Sequence, residues 1–417
     1  MSISFDHIII GGGISGLYYG YQLYKKNIPF IILEKGSYER GRLFSSHIEP
    51  GNNLIELGAS LIHTKQEKMM NLLKELNIFD DLQEISKKQA SYYIYRGMDS
   101  TSIKKKWKEL KKFVKSNIDK VPDDSTMEEA SKLLLSKEDY DLYSICWPEW
   151  YEVNLQNAKV FFNQEDKEGE YCTFKNGVEQ IVKKLSEILK DHIYYCYNVY
   201  KIKKISNSSL PDENTYKIYI KNKSSLICKN IFLAVSYTCA TNYIKYENLN
   251  QVVNYLDCGF QRCCYRFYVE FDTPINIFSE TSENKKIPIG YIIGDFQSKW
   301  SIKINDYLWM ITYVDGPLSC KLNKVDPKKL IKNWIKTLNK EFSLNLCYKN
   351  VISYKGGFWK DAYTVLHKKF YNKNSITSNK YYGELCRDLL PKGCTVAILP
   401  NDLGENTAWM ESVLINP

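Results

Sequence analysis

No window of this 417-residue chain approaches 18 uncharged apolar residues, so no segment reads as a helix that crosses a bilayer. Although cysteine is present 12 times, no two cysteines stand in a C-x-x-C pair. Cys258, Cys263 and Cys264 lie close together without the spacing of metal ligands. No metal is therefore expected, and reduced thiols in a cytosol-like compartment are. There is no internal repeat and no low-complexity linker, which excludes solenoids and loosely tethered modules. A strand-like run already begins at Phe5, too early to leave room for a secretory leader. The expected location is cytoplasmic, or a virion or viral factory if the source is a virus.

Charge of one sign is also in short supply. The 57 basic residues exceed the 48 acidic ones by only nine, a mild bias for this length. It permits an anionic ligand, but neither a nucleic-acid partner nor a membrane is expected from it. Hydrophobic residues make up 44% and charged residues 25%, which excludes wholesale disorder and supplies a large core. Tyrosine stands at 33, and lysine, asparagine and isoleucine are abundant. That is the mark of an AT-rich genome and says nothing of chemistry.

What is present begins with Phe5-Asp6-His7-Ile8-Ile9-Ile10, a buried strand by its pattern. Gly11, Gly13 and Gly16 follow as G-x-G-x-x-G, with Ile14 and Ser15 opening a helix that continues through Leu17–Leu23. A second strand, Phe30–Leu33, ends at Glu34, which stands 21 residues after Gly13. In this context the three glycines serve in turn for a sharp turn, for close approach of backbone to a pyrophosphate, and for tight packing of helix on sheet. The helix start offers unpaired N–H groups to phosphate. A carboxylate at Glu34 accepts ribose hydroxyls and repels a 2′-phosphate, which argues against NADP.

Further on, Met69, Leu72, Leu73 and Leu76 mark an amphipathic helix, and helical signal runs from about 100 to 160. There Ile103, Trp107, Leu110 and Val114 form one apolar stripe among lysines, and Ser125-Thr126-Met127-Glu128 is a capping-box candidate. Another helix carries Val178, Ile181, Val182, Leu185, Ile188 and Leu189. Strand-like runs occupy 193–205, 216–221 and 226–235, with a turn at 211–214. Residues 260–271 and 288–314 suggest an antiparallel sheet with a hairpin turn at Asn305-Asp306. A helix near 327–340, a strand at 351–355 and a short strand at 395–399 complete the pattern. The expected fold is α/β, a Rossmann-like domain interleaved with an α+β domain in which a mixed sheet is flanked by helices.

Six segments carry a resemblance to one family. Glu39-Arg40-Gly41-Arg42-Leu43-Phe44-Ser45 resembles the G-G-R-x-x-[ST] segment of flavin-containing amine oxidases. Glu56-Leu57-Gly58-Ala59-Ser60-Leu61-Ile62-His63 is similar to the segment that family places beside the flavin, most of all in polyamine oxidases. Phe174–Val182, Asn198–Ile202 and Phe232–Ser236 resemble its G-G-M-x-x-L-V helix start, its adenine-contacting strand and its second crossover in the flavin domain. Thr407-Ala408-Trp409-Met410-Glu411-Ser412 resembles the C-terminal G-[WY]-x-E-G segment under the isoalloxazine ring. The matches come in the family's order and span residues 5 to 412.

The resemblance implies FAD, and with no flavin-linking Cys or His motif in the sequence its binding is expected to be non-covalent. It places the FAD-binding domain in residues 1–85, 176–250 and 380–417, and the substrate domain in 86–175 and 251–379. Gly11, Gly13, Ile14, Ser15 and Gly16 would hold the diphosphate, and Glu34 and Lys35 would flank the adenosine ribose. Arg40, Gly41, Arg42 and Leu43 would meet the phosphates or the flavin edge. Gly58, Ala59 and Ser60 would let the ring lie close to the chain. Val199 would meet the adenine, and Ala408, Trp409 and Met410 would support the ring. The implied activity is oxidation of a small amine, polyamine-like or monoamine, with O2 reoxidising the flavin to give hydrogen peroxide. Trp409, Trp359 and Tyr363 would wall the substrate, and His63 would contact it or be an ordinary interior histidine. Residues 164–170 form a candidate acidic rim or a solvated loop.

Three departures stand against that pattern. The family's lysine that holds a water against flavin N5 is here Arg266. Its A-G-E turn is replaced by Leu399-Pro400-Asn401-Asp402, and the terminal helix is short. Two alternatives stay open on these grounds. One is a flavin-binding module with weakened catalysis. The other is a different flavin oxidoreductase on the same scaffold.

Overall fold

Strand Ser4–Ile10 ends in three consecutive buried residues, Ile8, Ile9 and Ile10. A strand buried on both faces must lie inside a sheet covered on two sides. In the computed structural model it pairs in parallel with Ile31–Leu33 on one side and Leu226–Leu233 on the other. The structure describes residues 4–39, 41–85, 90–147, 150–164, 170–205, 215–245, 259–278, 290–294, 300–366 and 396–398.

Among the described residues the first sheet has seven strands. Their order is Val199–Ile205, Thr215–Ile220, Leu226–Leu233, Ser4–Ile10, Ile31–Leu33 and Ile193–Tyr194, and Val396–Ile398 pairs in parallel with Leu226–Leu233 off this path. Helices Ile14–Lys25, Glu67–Glu75 and Gln180–Ile188 cover one face, and their Leu17, Leu23, Leu72, Ile181 and Leu185 pack with Ile9 and Ile32. The 3.6-residue stripes explain this burial: apolar side chains three and four positions apart share one helix face.

Among the described residues the second sheet has six strands, in the order Val351–Leu366, Gly259–Phe271, Leu308–Asp315, Trp300–Lys303, Gly290–Gly294 and Ala90–Ile94. All neighbours are antiparallel except the last pair, which is parallel, so the sheet is mixed. Consecutive strand residues point to opposite faces. Ile292 accordingly joins a core with Trp309, Leu330, Trp334 and Leu338, under helix Pro327–Phe342. Ile293 joins another with Ile103, Leu110, Tyr143 and Trp150, under the helices that begin at Ser100. The chain passes from the first sheet to the second with Ala90–Ile94, returns with Ile193–Leu233, crosses again for Gly259–Leu366, and returns with Val396–Ile398.

Three local readings are corrected. The capping box of helix Met127–Leu134 is Thr126 with Glu129, one residue beyond Ser125 and Glu128. The run at 193–205 is two strands, split by a turn in which Cys196 takes φ 60°. The strand expected at 351–355 continues to Leu366. Its second half is obscured in the sequence by Gly356 and Gly357, which lie against Phe267 and Leu57, where a Cβ would come within 2.7 and 3.1 Å.

Candidate cofactor and active site

The first strand stops where glycine is obligatory. Gly11 has φ +110°, and a Cβ there would sit 2.2 Å from the Ala234 carbonyl oxygen. A Cβ on Gly16 would sit 2.0 Å from the Gly11 carbonyl oxygen. Gly13 then caps helix Ile14–Lys25 without any side-chain hydrogen bond, and no acid lies in the first turn. Asp99, Thr126, Ser136 and Asp326 each close another helix start with a side-chain oxygen. The positive end of a helix favours an anion, and Gly11, Gly12 and Gly13 put no side chain of their own over it. Gly41 crosses close by: its Cβ would lie 3.2 Å from the Gly13 Cα. Leu43 beyond it is buried.

Glu34, at the end of the second strand, is 6% exposed. Its Oε2 accepts from the Gly12 N–H and its Oε1 from the Gly36 N–H, both at 2.7 Å. The carboxylate thereby lies against the glycine turn, with acceptor capacity left on both oxygens. Lys35 beside it is exposed. Val199 is buried, and its carbonyl accepts from the Tyr243 hydroxyl at 2.7 Å.

The segment Glu56–Ser60 is held by the chain that precedes its own hairpin and by the second sheet. The Leu57 and Gly58 N–H groups donate to the Phe44 carbonyl, and the Ala59 N–H donates to that of Arg42 at 2.8 Å. Gly58 is required here, because a Cβ would meet the Arg42 carbonyl oxygen at 2.0 Å. From the second sheet, Arg266 Nη1 donates to the Glu56 carbonyl at 3.0 Å and to Ser60 Oγ at 3.4 Å. The Tyr268 hydroxyl donates to the same carbonyl at 2.7 Å, and Trp359 Nε1 to the Leu57 carbonyl at 2.6 Å. The Arg266 guanidinium lies 4.7 Å over the Tyr313 ring. Arg42 Nη1 donates to the Ala362 carbonyl at 2.9 Å, and Tyr363 next to it is buried.

The fold therefore brings Arg42, Gly58, Ala59, Ser60, Arg266 and Trp359 into one network, and Gly11, Gly13, Gly16, Glu34 and Gly41 into another. His63, three positions after Ser60, lies in the small three-stranded sheet. Its Nδ1 accepts from the Lys65 N–H at 3.2 Å, and its ring meets Tyr171 edge-on at 5.1 Å. Arg40, Ala408, Trp409, Met410, Asn401, the turn at 211–214 and most of the 164–170 rim lie outside the described residues. Among the described residues no group of three or more His, Cys, Asp and Glu side chains could hold a metal ion. No helix among them is long and apolar enough to cross a membrane.

Sequence reading missed the carboxyl of Glu56. It accepts from the Val178 N–H at 2.9 Å and from Ser45 Oγ at 2.8 Å. Glu179 and Ser45 exchange two more bonds, so Ser45, Glu56 and Glu179 together dock the start of helix Gln180–Ile188 on the hairpin Ser45–Glu56. Desolvation pushes the Glu56 carboxyl up to about 7, against the lowering effect of these bonds. Gly177, with φ +87°, completes the contact, since a Cβ there would press on Ser45.

The family model described as an NAD(P)-binding Rossmann-like domain matches residues 9–76, the stretch containing the glycine turn and Glu34. Solved structures from a redesign of cofactor binding in putrescine oxidase match over the whole chain. A single mutant is 12% identical with a TM-score of 0.73, and the wild type bound to putrescine is 14% identical with a TM-score of 0.70. Each covers 99% of this chain and 97% of that one. The chain thus has a mixed α/β fold shared with putrescine oxidase, with a Rossmann-like NAD(P)-binding-type domain and sheets flanked by helices.

Proposed function

We propose that this chain is an oxidoreductase that binds FAD non-covalently and oxidises a small amine, polyamine-like or monoamine. The observation that carries the reading is the uncapped helix start at Gly13 with the Glu34 carboxylate against the same turn, in a chain that shares its whole fold with putrescine oxidase. The diphosphate would lie over Gly11–Gly16, and Glu34 would turn its remaining acceptor capacity to the adenosine ribose. Arg42 would face the phosphates or the flavin edge, and Gly58 to Ser60 the ring. The chemistry that the flavin supplies when bound is acceptance of a hydride equivalent at N5 from the carbon next to the amine, and its return to O2 as hydrogen peroxide.

The protein's own part is to bind, orient and exclude water. A free alkylamine resembles lysine, so neutralising it at pH 7 costs roughly 4–5 kcal/mol. Aromatic walls offset this by disfavouring the ammonium; Trp359 and Tyr363 are the candidates among the described residues, and Trp409 outside them. The substrate and O2 are the only partners proposed.

A visible absorbance spectrum of the purified protein tests flavin binding, and anaerobic bleaching of that spectrum by putrescine, spermidine, spermine or a monoamine tests the activity. A colourless protein that takes up no FAD overturns the reading. Bound flavin that no amine bleaches favours a second one, a flavin-binding module with weakened catalysis. That alternative draws on Arg266, whose guanidinium is committed to Glu56, Ser60 and Tyr313 and cannot give up its proton.

A further inference from the structure

Cys263 and Cys320 meet although 57 positions separate them. Cys263 lies in strand Gly259–Phe271, at a point where the register against Val351–Leu366 shifts between Arg262 and Cys264. The extra residues lie on the opposite strand, between Trp359 and Tyr363, so Cys263 stands between the paired residues Arg262 and Cys264 with no ladder partner of its own there. Cys320 lies on helix Gly316–Leu322, which packs against that strand. The two sulfurs are 2.6 Å apart, and the Cys263 thiol also donates to the Gly316 carbonyl at 3.3 Å. Both cysteines are partly exposed, whereas the adjacent Cys264 is buried. Neither takes part in the networks around Glu34 and Glu56.

We propose that Cys263 and Cys320 are a redox-active thiol pair, closed to a disulfide by hydrogen peroxide and reopened by a dithiol. The thiolate of one attacks a peroxide oxygen: an S–O bond forms, the O–O bond breaks, and hydroxide leaves. The second sulfur then attacks the sulfenic acid: the S–S bond forms, the S–O bond breaks, and water departs with the thiol proton. Two thiols and one peroxide become one disulfide and two waters, the two electrons passing from sulfur to peroxide. The pair has the contact that exchange requires, and partial exposure admits the small oxidant. Cys264 pairs across the sheet with Trp359, so the bridge would tie the helix to the strand that presents Arg266 and backs Trp359. The inference does not rest on the proposed function, because the peroxide is supplied from outside.

The full chain, reduced and freed of reductant, is treated with hydrogen peroxide at mildly alkaline pH. The Cys320 thiol is held above its usual range, first by its bond to Cys263 and then by burial, so alkali speeds the reaction. Remaining thiols are alkylated and the protein is digested with trypsin without reduction. Mass spectrometry should find residues 263–266 joined to residues 304–321, two hydrogens lighter than the sum, and dithiothreitol should separate them. In the Cys320→Ser variant the joined peptide should vanish, and dimedone should trap a sulfenic acid at Cys263. Recovery from the wild type of both peptides fully alkylated, or of Cys263 joined to Cys264 or to any other cysteine, overturns the proposal.

Discussion

The Arg266 guanidinium donates to the Glu56 carbonyl at 3.0 Å, across 210 positions of sequence. It joins the longest pairing of the second sheet to the end of the hairpin Ser45–Glu56. Arg266 is only 9% exposed, so its charge must be met by acceptors and by the Tyr313 face rather than by water. Arg266→Met keeps much of the volume and removes the donors. It leaves Ser60 Oγ without this partner and the Glu56 carbonyl with Tyr268 alone, so a loss of about 1–3 kcal/mol is expected in urea unfolding. Arg266→Lys keeps the charge but loses the planar fork, and its loss should be smaller. Equal midpoints for the three proteins would show that the contact contributes nothing.

Glu34 accepts from two backbone N–H groups on either side of it, Gly12 and Gly36. Glu34→Ala should therefore loosen the turn even before a ligand binds. On the proposed function it should also release most of the flavin on gel filtration, with Glu34→Gln intermediate because the amide keeps one acceptor. Unchanged flavin content in Glu34→Ala counts against the assignment of this turn.

Much of the first sheet was legible because its signals are local. A buried run, a glycine turn, a helix and an acid at fixed spacing each follow from backbone sterics within thirty-odd residues. The helices at Met69 and Val178 were legible from their stripes for the same reason. The second network was not. Ser45, Glu56, Glu179 and Arg266 come together from a hairpin, a helix start and a strand far apart in sequence, and nothing in the local sequence of Glu56 marks its carboxyl as the one that docks Val178. The continuation of Val351–Leu366 was hidden because Gly356 and Gly357 weaken strand signal locally while serving distant neighbours, Phe267 and Leu57. The thiol pair was hidden likewise: Cys263 and Cys264 attract notice as neighbours, but the contact runs to Cys320.

Two glycines give a matched test of crowding against backbone strain. Gly58→Ala would thrust a methyl to 2.0 Å from the Arg42 carbonyl oxygen, and backbone on both sides is bonded in place. Gly97→Ala meets nothing within 4 Å and suffers only its φ of +73°. The second change should cost about 1–2 kcal/mol. The first should cost more, because two bonded backbone segments must part, and it should weaken protection of the Ala59 amide against hydrogen exchange. A Gly58→Ala protein as stable as Gly97→Ala would mean that the segment yields freely.

The Glu56 carboxyl gives a pH dependence whose sign is fixed. Desolvation raises it from 4.5 to about 7, with Glu179 adding to the rise and Val178, Ser45 and Arg266 opposing it. A carboxyl raised on folding binds its proton more tightly in the folded state. Below pH 4.5 it is protonated in both states and exacts no electrostatic cost. As pH climbs from 4.5 to about 7 the unfolded chain ionises first, and the folded state loses stability steadily; beyond 7 the loss is complete. Glu56→Gln cannot titrate, yet it can still accept from Val178 through its carbonyl and donate to Ser45 through its amide. The stability of the variant minus that of the wild type should therefore rise across this window and level off above it. Urea midpoints of both proteins at half-unit steps of pH measure that difference, in which the other titrating groups largely cancel. A flat difference, or one that falls with rising pH, would show that water reaches Glu56 freely and that the hairpin and the helix start are not sealed together.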